Sequence, residues 1–182
     1  MQRFYHFLVL SVSFILLFAT CSKEGDENAG FINIDGSNYV LTYGLVDDAG
    51  LGGDNSYRNY WLRFQSSEGD QPSHFIVFKL YSLDTLIIEE GTYTYDYIKT
   101  EAGLFTWVKV GYDLQYDEEG EIIGGTVLLD SYVEEGSMVV TREGELLNFE
   151  FNIKFLKNLN TYIVSGEFKD VLNEGYVYYS DI

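Results

Sequence analysis

The sequence predicts an all-β protein: an antiparallel β-sandwich of about 8–10 strands, with a closed lipocalin-like or avidin-like barrel as the alternative. Three observations predict it. Apolar and polar residues alternate with period two, turn dipeptides punctuate the alternation, and no stretch of a dozen residues carries a 3.6-residue period. Composition agrees, since 16 Tyr, 13 Phe and 18 Gly against one Pro suit strands and tight turns.

The clearest strand carries Leu147, Phe149, Phe151, Ile153 and Phe155, alternating with Asn148, Glu150, Asn152 and Lys154. One face of such a strand covers a core and the other meets water. Tyr39, Leu41, Tyr43 and Leu45 repeat the pattern. Asp35-Gly36 turns a strand at 31–34 into one at 38–46, because both positions of a two-residue hairpin favour positive φ. Glu143-Gly144 joins 138–142 to 146–155 in the same way, and Glu118-Glu119-Gly120 joins 107–116 to 122–129. Further strands are expected at 60–65, 75–81, 91–97, 162–168 and 176–179, and a short helical turn at 83–90. Successive hairpins fit a sandwich and a barrel equally well. The pattern does not separate them.

The first 30 residues obey other rules. Met1-Gln2-Arg3 gives a positive start, residues 7–19 form a nearly unbroken apolar run, and Thr20-Cys21 closes it. A bilayer-spanning helix needs about 20 apolar residues, so the run reads as the core of a signal peptide over 1–20. Residues 22–30 are small, polar and acidic, and read as a flexible tether. A single domain is expected over 31–182. Leu17-Phe18-Ala19-Thr20-Cys21-Ser22 resembles the lipobox of bacterial lipoproteins, in the loose form of Bacteroidetes-type surface lipoproteins. Ser22-Lys23-Glu24-Gly25-Asp26-Glu27 resembles the acidic tract that, in that class, directs export to the outer face of the outer membrane. The resemblance implies cleavage before Cys21, acyl chains on its thiol and a membrane partner through that anchor. It covers only the leader and tether and implies nothing about the domain.

Cleavage removes Arg3 and leaves ten Lys and Arg against 29 Asp and Glu. A polyanion of this kind gains no counterion release on nucleic acid, which excludes nucleic acid as a partner. Cys21 is the only cysteine, so no disulfide forms within the chain and packing alone must hold the domain.

The supply of catalytic residues is thin. His6 leaves with the leader, so His74 is the one histidine of the mature chain, and with Cys21 acylated neither a zinc site nor a Cys-His pair can be built. No G-x-S-x-G elbow supports a serine nucleophile, and no phosphate-binding glycine loop is present. Carboxylate pairs are too abundant for any one to be singled out as a glycosidase site. The expectation is a protein that is not an enzyme and carries no cofactor. Calcium is the one metal the residues permit, through the acids of 47–55 or through Asp113 and Asp117–Glu121, though neither tract has EF-hand spacing.

Aromatic residues offer a second chemistry. Tyr93, Tyr95 and Tyr97 alternate along one strand face, Tyr57, Tyr60 and Trp61 follow a glycine-rich loop, and Trp107 starts the next strand. Such rings stack on sugars or anchor protein partners, and equally fill cores or pair across strands. They are the candidate ligand-binding residues, led by Trp61 and Trp107. The expected function is a cell-surface lipoprotein binding a glycan or other small ligand. The alternative is a structural or interaction lipoprotein, an adhesin or a subunit of an envelope assembly.

Overall fold

A computed structural model describes residues 29–52, 55–84 and 86–177. The leader, Cys21 and the tether up to residue 28 lie outside the described residues. The chain is all-β. Its strands are β1 (Gly30–Ile34), β2 (Ser37–Leu41), β3 (Tyr43–Leu51), β4 (Arg58–Gln65), β5 (Phe75–Ser82) and β6 (Gly91–Tyr95). They continue with β7 (Leu104–Tyr116), β8 (Ile122–Leu128), β9 (Val133–Glu143), β10 (Leu146–Lys157), β11 (Asn160–Asp170) and β12 (Asn173–Glu174).

These strands form one curled mixed sheet, a half-barrel, in the order β12-β3-β4-β5-β7-β6-β9-β10-β11-β1-β2, with β8 attached to β7. Pairing is antiparallel except where β6 meets β7 and β12 meets β3. The chain itself connects the two ends of this path. From β2 it runs into β3 through Thr42, whose N–H donates to the Gln65 carbonyl at 2.9 Å and whose hydroxyl donates to the Ser66 carbonyl at 2.9 Å. One run of chain thus lends its first half to β1 and its second half to β4. The sheet has the facing halves of a sandwich and the uninterrupted ladder of a barrel.

Between the halves lies the main core. Phe64 of β4 stacks on Phe168 of β11 with centroids 4.4 Å apart, and Phe78 of β5 meets Phe151 of β10 at 5.3 Å. Leu147, Phe149, Phe151, Ile153 and Phe155 all point into it, as their alternation requires. Gly44 is forced by this packing, since a Cβ there would come within 2.6 Å of the Phe168 ring. A second, smaller cluster sits on the opposite face of β5: Phe75 and Val77 pack with Leu114 and Val177, backed by Trp61 and Leu45. Strand β5 is therefore buried on both faces, which is why its sequence reads as an apolar run without alternation.

The turns follow their residues. Asp35 and Gly36 both have positive φ, at 49° and 90°. The β10–β11 turn uses Asn158 and Leu159 at positive φ, a conformation that leucine rarely adopts and that carried no sequence signal. Three expectations are corrected. Among the described residues of 83–90 none is helical, and the Asp84 carboxylate accepts the N–H groups of Leu86 and Ile87. The only helical piece among the described residues is a 3₁₀ turn at Asp130–Tyr132. Strand β7 begins at Leu104, three residues before Trp107. The last expected strand, 176–179, is replaced by β12 at Asn173–Glu174, with Tyr176 and Val177 outside any strand and residues 178–179 outside the described residues.

Candidate functional site

The candidate aromatic residues are dispersed. Tyr60 and Tyr93 are buried in the main core, with the Tyr93 hydroxyl donating to the Glu89 carbonyl at 2.8 Å. Tyr57 meets the edge of Tyr81 at 5.5 Å, and burial pushes the Tyr81 phenol up to about 12. Trp61 packs on the second cluster, beneath the Lys79 ammonium 5.3 Å from its ring. The expected row of three phenols does not form. Strand β6 ends at Tyr95, and the Asp96 carboxylate then receives the N–H groups of Ile98 and Lys99, which turns the chain and leaves Tyr97 exposed beyond the strand.

Trp107 occupies the most unusual backbone of the set. Lys79 pairs with Thr106 and Val77 with Lys109, so Trp107 and Val108 both stand opposite Phe78 in a β-bulge. Trp107 has φ of 53° and remains 41% exposed. The bulge takes Val108 N–H out of the ladder, and Asp130 receives it at 2.9 Å. The same carboxylate oxygen accepts the Tyr95 hydroxyl at 3.1 Å. Asp130 is 4% exposed, so burial raises its pKa, while the bonds from Val108 and Tyr95 pull it back. The sequence offered no motif for this contact, because Asp130 is 22 residues from its partner.

Next to this bulge, the face of β4, β5 and β7 that carries the second cluster also holds Arg63 and Lys109, both buried, together with Lys79. Register places Arg63 beside Val77 and Val77 beside Lys109. Arg63 lies over the Phe75 ring at 5.4 Å. Burial lowers the Lys79 pKa, and burial with the nearby Arg63 charge lowers that of Lys109. The chain's C-terminal segment closes on this face: Val177 sits in the cluster, and its N–H donates to Asp47 at 3.4 Å.

The open counterpart is the outer face of β6, β9, β10, β11, β1 and β2. Register sets Thr94, Ser137, Asn152, Ser165, Asn33 and Asn38 side by side in one row across six strands. One flanking row holds Val139, Glu150, Glu167 and Phe31, and the other holds Glu135, Lys154 and Ile163. Larger side chains on both sides leave the row as the floor of a trough. Two depressions, of about 370 and about 470 Å3, share Ser137 and Asn152. Gly166, between Ser165 and Glu167, faces the core, where a Cβ would lie 2.2 Å from the Phe31 carbonyl oxygen and 2.7 Å from the Phe151 ring. No hydrogen bond from another described residue reaches the side chains of Thr94, Ser137, Asn152 or Ser165, whereas Asn33 and Asn38 bond to each other at 2.6 Å. Lys154 is held by Glu134 at 2.8 Å, which raises its pKa.

The acids through which the sequence would permit calcium make other contacts. Asp48 pairs with Arg58, and the Asp117 carboxylate takes the N–H groups of Glu119 and Glu121 within its own hairpin. Asp113 accepts the Tyr39 hydroxyl at 3.2 Å. Asp54 lies outside the described residues. His74 accepts the Asp113 N–H at Nδ1 at 3.2 Å and packs against Tyr39 with ring centroids 4.8 Å apart, and burial lowers its pKa.

Comparison of the chain with protein-family models, with curated proteins and with solved structures finds no match.

Proposed function

We propose that the chain is a non-enzymatic lipoprotein, anchored through Cys21 to the outer membrane and facing the cell exterior, that binds a glycan or another small ligand. The observation that carries the binding reading is the trough: two adjoining depressions whose floor groups can donate and accept hydrogen bonds and are used by no described neighbour. The anchor rests on the lipobox-like residues 17–22 and the acidic tract after them.

Replacing Cys21 by Ala should move the chain from the membrane to the soluble fraction with its far-ultraviolet circular dichroism unchanged. Retention of that variant in washed membranes defeats the anchor. Protease added to intact cells should remove the wild-type domain, and protection of the domain defeats the outward orientation.

A second reading, an adhesin or assembly subunit, is favoured by β8. Among the described residues that strand pairs only with β7, and Ile123 on it is exposed. An open strand edge is a template for another chain. Concentration-dependent association in sedimentation, abolished by Ile123→Lys, would favour this reading over the first.

A further inference from the structure

We propose that the trough takes one uncharged, hydroxyl-rich polymer strand, a neutral polysaccharide, lying across the β-strands with successive sugars over successive strands. The inference rests on the binding reading above and narrows it to one class of ligand.

The first argument is spacing. The floor presents one small neutral polar side chain per strand, from Thr94 through Ser137 and Asn152 to Ser165. Neighbouring strands lie about 4.8 Å apart, so these four groups span about 14 Å. A pyranose unit in an extended chain advances by about one such strand spacing. A repeating ligand therefore meets a repeating row without changing register.

The second argument is the chemistry of the floor. Hydroxyls and an amide both donate and accept, as sugar hydroxyls do, and these four are engaged by no other described residue. Glu150 and Glu167 beside the row are acceptors that sugar hydroxyls can satisfy, and Phe31 on the same flank offers an apolar face for a ring.

The third argument is charge. Glu134, Glu135, Glu150 and Glu167 border the trough, and the one cation lining it among the described residues, Lys154, is paired with Glu134. A polyanion meets net repulsion there. A cationic polymer would be attracted, but it would neutralise the flanking acids and leave the neutral floor unused.

The test is affinity electrophoresis of the full chain, freed from membranes by detergent. The gels contain a neutral glucan, mannan or xylan, with polygalacturonate and poly-lysine as charged comparisons. Retardation by a neutral polymer, weakened about tenfold or more by Asn152→Arg or by Ser165→Arg, is the expected result. Lys169→Ala, away from the row, should leave the retardation unchanged. Circular dichroism of each variant shows whether it folds, and Ser137→Thr, which adds one methyl to the floor, serves as a milder second probe. Retardation by poly-lysine or polygalacturonate alone, lost in the same variants, overturns the neutral-polymer assignment while leaving the trough a binding site. Retardation by no polymer overturns both.

Discussion

Two outer faces of the same sheet have opposite fates. On β4, β5 and β7 the outward residues are Trp61, Arg63, Val77, Lys79 and Lys109; Arg63, Val77 and Lys109 are buried, and Val177 and the second apolar cluster pack on this face. On β9, β10 and β11 the outward residues are Ser137, Glu150, Asn152 and Ser165, and nothing described covers them. The inward faces of the two regions are alike, both rich in Phe and both closing on one core. The difference teaches that outward chemistry is not set by the fold of the strand. It is set by whether another segment of chain is available to bury what points out.

The largest effect is expected where the two regions meet. Phe64 touches Phe78, Phe149 and Phe168, so Phe64→Ala leaves a cavity shared by both halves and should cost about 3–5 kcal/mol in a denaturant titration. A cost below about 1 kcal/mol would show that the halves do not depend on this contact. Next, Val77→Lys and Asn152→Lys place the same new charge on the two outer faces. On the covered face the ammonium is buried beside Arg63 and Lys109 and should destabilise by about 3 kcal/mol. On the open face the change should stay within about 0.5 kcal/mol. Equal costs would erase the distinction between covered and open.

A smaller effect separates the bulge from both faces. The folded Asp130 pKa lies above its ordinary value, so the folded state holds that proton more tightly than the unfolded state. Its contribution to stability is therefore greatest below the ordinary carboxyl range and declines as pH rises through the raised value. Asp130→Asn removes this slope, and the stability of the variant relative to wild type should increase with pH. A constant difference from pH 4 to 7 would mean that Asp130 does not titrate differently in the folded protein. His74 has the opposite sign. Burial lowers its folded pKa, so its contribution is present above the ordinary imidazole value near 6.5 and is lost as pH falls through the lowered one. Unfolding midpoints of wild type and His74→Gln, compared between pH 7.5 and 5.5, should converge on acidification.

The open face was legible in the sequence because water enforces alternation. Leu147 to Phe155 alternates with Asn148 to Lys154, and that pattern places every one of those side chains on its observed face. The two-residue turn at Asp35-Gly36 was equally plain. The covered face was not legible. Strand β5, apolar on both sides, carries no period to read, and Val177 reaches it from far along the chain. The trough has the same origin as the difficulty with the aromatics. Its floor residues come from strands separated in sequence, and only register, which local pattern leaves open, brings Thr94, Ser137, Asn152 and Ser165 into one row. Of the rings chosen by their alternation, Tyr93 proved to be core and Tyr95 a hydrogen-bonded neighbour of Asp130.

Strand β1 has a mechanical consequence. Its five residues are hydrogen-bonded on one side to β2 and on the other to β11, and the chain preceding it enters at Ala29, still in ladder contact with Lys169. A pull on that preceding chain, directed along β1, loads both ladders in shear, so their hydrogen bonds share the force and do not break singly in succession. The position of β1 between two partners therefore makes the point where the chain enters the sheet resistant to such a pull, and a shorter β1 paired on one side only would peel.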